Sequence, residues 1–131
     1  MSGEEASIYT VLIEDEGKTL FEKFIEENKT IYLSEIKDIL ARLKYIGSSR
    51  GGARENLFKT KEGSPGDGVC ALYDNPDKKL RLYCIRYASQ IVILGGGGPK
   101  NVQALQEDEK LKKENYFLRW LSKQITERIK I

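Results

Sequence analysis

The apolar residues of this chain change their spacing twice, and that change limits the folds open to it. From Thr19 to Ile46 they recur at helical intervals: Leu20, Phe21, Phe24 and Ile25, then Leu33, Ile36, Leu40, Leu43 and Ile46. From Leu57 onward they follow strand patterns, in "NLFKTKEG", "GVCALYD", "KLRLYCIRY" and "QIVILG". Helical spacing returns through Leu111, Phe117, Leu121, Ile125 and Ile129, with Trp120 beside the stripe. Ahead of all this, Ile8–Ile13 reads as a short first strand. The order β-α-α-β-β-β-α follows, an α+β class in which a helical hairpin packs on a mainly antiparallel four-stranded sheet with a C-terminal helix. No internal repeat interrupts it, so the 131 residues are expected to form one domain, with residues 1–7 a disordered tail.

Local signals fix some boundaries. Thr19-Leu-Phe-Glu22 has the form of a capping box, and Gly47 stands where a C-cap glycine would end the second helix. Asn75-Pro-Asp77 is a turn between two strands. The run "IVILGGGGPK" follows the last strand and invites a phosphate-loop reading. It fails both glycine fingerprints: Pro99 precedes Lys100 and Asn101 follows it, and Lys100 occupies the place of a third glycine. The glycines are therefore read as a strand exit that lets the chain turn and leaves room for a substrate backbone.

The chain contains no histidine, which removes Ser-His and Cys-His nucleophile pairs and every imidazole metal site. Its two cysteines, Cys70 and Cys84, lie in apolar strands and are expected to be buried, inert thiols, although two strands facing each other could bring them together. The acidic N-terminus lacks the apolar core of a secretory signal, and no apolar run reaches the roughly 20 residues that span a bilayer. The expectation is a cytoplasmic protein without membrane, metal or cofactor. Any chemistry falls to Lys, Arg, Tyr, Asp or Glu.

Charge is unevenly spread. Residues 1–49 carry net −4, while residues 50–100 carry net +4, a bias that suits an anionic partner such as nucleic acid. On the third strand of the later group, Arg81 alternates with Tyr83, Ile85 and Tyr87; Lys59 and Lys61 share one face of a neighbouring strand, and Lys100 emerges at the sheet's last exit. If these faces coincide, cations and rings share a surface suited to an RNA backbone and stacked bases. The same lysines on strand edges would equally serve to block edge pairing.

The order of elements, with "LRLYCIRYASQIVILGGGGPK" as its clearest local match, resembles the RelE/ParE toxin superfamily over roughly residues 8–105. The resemblance implies a metal-independent endoribonuclease that cuts messenger RNA on the ribosome and is neutralised by a small antitoxin protein. It implies that a lysine or other base assists attack of the 2′-hydroxyl while arginine stabilises the charged phosphorane. By position, Arg81 matches the family's strand arginine, Lys100 its basic residue after the last strand, and Lys59 and Lys61 the lysines ahead of it. Arg54, Arg86, Tyr83 and Tyr87 are the expected RNA-binding residues. The family's tyrosine shortly after the last basic position is missing, since Asn101-Val-Gln-Ala-Leu105 follow instead. That departure keeps a second expectation in view, a non-enzymatic binding module such as a gyrase inhibitor of the ParE type, or an inactive relative.

Overall fold

A computed structural model describes residues 5–60, 62–63, 66–75, 77–100 and 105–129. The elements, in chain order, are β1 (Ser7–Thr10), β2 (Leu12–Ile13), β3 (Lys18–Thr19), α1 (Leu20–Asn28), α2 (Leu33–Ser48), a 3-10 turn (Glu55–Leu57), β4 (Phe58–Lys59), β5 (Val69–Leu72), β6 (Leu80–Tyr87), β7 (Ile91–Pro99) and α3 (Leu105–Ile129). The main sheet has the order β1-β7-β6-β5-β4, antiparallel throughout except that β1 runs parallel to β7. This is the expected α+β class, with five strands in the main sheet rather than four: Ile8–Ile13 contributes β1, and each of the four later strand runs, "NLFKTKEG" included, contributes one. The first strand is split: β2 leaves the main sheet and forms a small ladder with β3.

Strand alternation assigns each sheet face its own helical cover. Leu80, Leu82, Cys84, Val92 and Leu94 join Phe21, Phe24, Ile36, Ile39, Leu43 and Ile46 in one core, under α1 and α2. Val69, Ala71, Tyr83 and Ile85 form a second core on the opposite face, under Leu111 and Leu118 of α3. Polar bonds tie α3 down as well: Asn115 Nδ2 donates to Glu62 O at 2.7 Å, and Ser122 Oγ to Asp67 O at 2.5 Å. Lys110 pairs with Glu27 of α1 at 3.2 Å.

The Thr19 capping box is present in both directions, with Glu22 N–H donating to Thr19 Oγ1 and Thr19 N–H to the Glu22 carboxylate. Gly47 departs from its expected role. It is a buried residue within α2, which continues to Ser48 and is closed by Ser49 N–H donating to Tyr45 O. The Gly47 carbonyl instead accepts from Glu5 N–H, and Ala6 is buried, so residues 5–7 of the expected tail belong to the folded body.

The glycine run also needs correction. Gly95, Gly96, Gly97 and Gly98 lie inside β7, buried, and the chain leaves the strand only after Pro99. Leu82 pairs with Gly97 and Cys84 with Leu94, so Tyr83 stands opposite both Gly95 and Gly96, a β-bulge. The extra residue turns both of these glycines toward α3. A β-carbon on Gly95 would come within 2.5 Å of Leu118 Cδ1, and one on Gly97 would collide with the backbone of Arg81. The run is bare because a helix and a neighbouring strand approach it closely, not to make a turn.

A candidate cation cluster

Asp74 lies two residues beyond the end of β5 and is buried, 5% exposed. Three cations from three segments converge on it. Lys59 Nζ, from β4, lies 2.5 Å from Oδ1, as an ion pair rather than an aligned hydrogen bond. Arg81 Nε, from β6, donates to Oδ2 at 3.3 Å, and Lys100 Nζ, just beyond β7, lies 3.2 Å from the same oxygen. Glu62 adds a longer contact, 3.8 Å from Arg81 Nη1. Lys59, Arg81 and Lys100 together with Asp74 and Glu62 carry net +1, close enough together to favour a further anion.

The backbone places these groups with few free torsions. Arg81 pairs in register with Gly98, two residues before Lys100. Lys100 N–H donates to Lys79 O at 2.6 Å, and Lys100 Nζ to Asn75 O at 3.0 Å. Glu35, in the first turn of α2, accepts from Lys79 N–H and Leu80 N–H, which fixes the start of β6. Burial alone would push the Asp74 carboxyl up, but Lys59, Arg81 and Lys100 outweigh it and hold the group below the usual carboxylate range. For Arg81, burial opposes the charge and the Asp74 carboxylate more than restores it, so its affinity for the proton is raised.

The structure brings together Arg81, Lys100 and Lys59, a meeting that the sequence reading left as a condition. Lys61 lies outside the described residues. The open face of rings and cations expected along β6 is absent: Tyr83 is 4% exposed beneath α3, and Tyr87 is half-buried with its hydroxyl enclosed, so neither ring presents a face for a base. Burial pushes the Tyr83 phenol up, and Arg81 pulls it partly back. Arg86 sits on the other face of β6, where its Nε donates to Ala53 O at 2.6 Å and closes the loop after α2. Arg54 is separate again, donating from Nη2 to the Tyr45 hydroxyl at 3.1 Å.

The sequence reading missed Asp74, which looked like the polar end of a strand, and it missed Tyr73 and Tyr45. These two rings are 46% and 49% exposed. Tyr73 receives Lys59 Nζ over its ring at 5.8 Å from the centroid. The one available signal was "LYDN", an aromatic beside an acidic residue just before a turn.

Among the described residues no set of three metal-ligating side chains is grouped, and no helix is long and apolar enough to cross a membrane. Comparison with protein-family models, with curated proteins and with solved structures finds no match.

Proposed function

We propose that this protein is a metal-independent endoribonuclease of the RelE type, acting on messenger RNA. The observation that carries the reading is the convergence of Lys59, Arg81 and Lys100 on the buried Asp74. Strand cleavage by the 2′-hydroxyl needs an enzyme to neutralise a phosphorane and to move two protons, and neither task requires histidine. In this reading the guanidinium of Arg81, the ammonium of Lys100 and Lys59, acting as its neutral amine, surround the scissile phosphate, and Asp74 holds the three side chains at fixed spacing when RNA is absent. The 2′-oxygen bonds to phosphorus as the bond to the 5′-oxygen breaks. The 2′ proton passes to a lysine amine, Lys100 donates one to the leaving oxygen, and the products are a 2′,3′-cyclic phosphate and a 5′-hydroxyl end. The ribosome as the place of action and a small antitoxin as the natural inhibitor belong to the same proposal and rest on the resemblance alone.

A second reading, a non-enzymatic binding module, is favoured by one specific observation: α3 covers the sheet face that carries Tyr83. Incubating the purified protein with messenger RNA, free and on ribosomes, separates the two. Internal cuts ending in cyclic phosphate, reduced at least about 100-fold in Arg81→Ala, are the expected result, since removing one charge-stabilising donor costs about that much. RNA left intact by wild type, or cut equally by Arg81→Ala, would transfer the case to the binding module.

A further inference from the structure

A groove of about 390 Å³ opens between α2 and the turn that follows β5, lined among others by Arg42, Tyr45, Asn56, Leu57, Tyr73 and Asn75. Its size falls in the range of small-ligand sites, and its make-up matches them: mostly apolar walls with a few polar groups. Among the described residues that line it, Arg42 is the one charged residue and none is acidic. Arg42 pairs with Asp38 at 3.1 Å and donates from Nη1 to Tyr73 O, which fixes the ring-bearing segment against α2.

The groove is joined to the cation cluster through two of its own residues. Tyr73 carries Lys59 on its ring, and Asn75 O accepts from Lys100 Nζ. A phosphate among the lysines therefore lies beside the exposed ring of Tyr73 and the backbone of Asn75, at the edge of a groove that Asn56 also lines. Aromatic faces beside backbone cations are the means by which unpaired bases are held, while Watson–Crick edges are read by hydrogen bonds.

We infer that this groove is a nucleobase pocket, in which the base next to the phosphate at Lys59, Arg81 and Lys100 stacks on Tyr73 with Tyr45 as the opposite wall. The inference rests on the phosphate-binding reading of the cluster and adds what the RNA must present, an unpaired base. It also gives Arg54 a position, since its guanidinium holds the Tyr45 hydroxyl at the rim. Apolar walls alone would equally fit a peptide side chain, but the lack of an acidic residue among the described lining and the two flanking lysines favour an anionic, aromatic ligand.

The test uses the full chain and a trinucleotide of 2′-deoxyribonucleotides, which lacks the attacking hydroxyl and stays uncut, beside the same trinucleotide made abasic. Binding is followed by fluorescence anisotropy and by the NMR signals of the tyrosine rings. The intact probe is expected to shift Tyr45 and Tyr73 and to bind about 5- to 150-fold tighter than the abasic one, the range of one stacked base. Tyr73→Leu is expected to remove most of that difference with circular dichroism unchanged. Equal binding of the two probes, unmoved Tyr45 and Tyr73 signals, or shifts caused by an apolar peptide and not by the oligonucleotide would each overturn the pocket. If Tyr73→Leu does not fold, the two probes against wild type and Tyr45→Leu still decide. Because the probe cannot be cut, base binding without RNA cleavage retains the pocket and sinks the nuclease. Cleavage with no preference for the intact probe does the reverse.

Discussion

Leu118 lies so close above Gly95 that a single added methyl would come within 2.5 Å of its Cδ1. This contact explains why α3 sits where it does. A helix whose buried stripe is Leu111, Asn115, Leu118 and Ser122 packs poorly on a strand of branched side chains, and the bulged glycines clear a channel for it. The helix in turn covers Tyr83 and the second core.

Gly95→Ala is therefore expected to destabilise the fold by about 1–3 kcal/mol, the usual range for overpacking. Leu118→Ala alone should cost about 2–5 kcal/mol through the cavity it leaves. Combined, the two should cost clearly less than their sum, because the new methyl enters the space that Leu118 vacates. Urea denaturation of the four proteins checks this, and strict additivity would show that the two residues do not share that space.

Asp74→Asn removes the charge that three cations share. A loss of about 1–3 kcal/mol at neutral pH is expected, since a buried charged acceptor of hydrogen bonds is replaced by a neutral one. The pH dependence carries a definite sign. The folded value of Asp74 is depressed, so its contribution is complete above the unfolded value of about 3.9 and disappears as pH falls through the folded value. Stability curves of wild type and Asp74→Asn should accordingly converge in acid and separate toward neutrality. Parallel curves would remove the ion pairs from the account.

Cys70 and Cys84 face each other in register across β5 and β6, both as free thiols. Burial pushes Cys70 up to about 12 and Cys84 well above its ordinary value. Thiolate is the reactive form, so iodoacetamide at pH 8 should modify neither in the native protein and both in urea. Rapid native labelling would mean that the β5–β6 pair opens readily.

Thr19→Ala should cost about 1 kcal/mol, the typical value of a lost N-cap, measured as a lowered urea midpoint with an unchanged slope.

The parts of the molecule readable in advance were those governed by neighbours in sequence. The Thr19 cap needs only Glu22, and the helical stripes need only their own spacing. Gly47 and the glycine run were misread because glycine signals freedom at a turn and tolerance of close approach equally well. Only the positions of Glu5, Leu118 and Arg81 tell the two apart. The cations were recognisable as a set because Arg81 and Lys100 flank one hairpin. Their common partner was not, since Asp74 acquires its meaning from Lys59, Arg81 and Lys100 arriving from other strands. Tyr83 and Tyr87 were assigned to an open face because periodicity gives a side but not what covers it. Tyr73 and Tyr45, with no periodic signal at all, ended on the surface.

The parallel pairing of Ser7 with Ile91 has a consequence for how the chain comes into being. The first strand is finished early, yet its only partner in the main sheet is added 84 residues later, between positions 7 and 91. At about 5–20 residues per second, that is a wait of about 4–17 s during synthesis. Throughout it the apolar edge of Ile8 has α1 and α2 for company but no strand to hydrogen-bond. The sheet closes only once β7 has been made, so the finished cation cluster and the closed sheet appear together, and a nascent chain that has not reached Lys100 lacks the cluster.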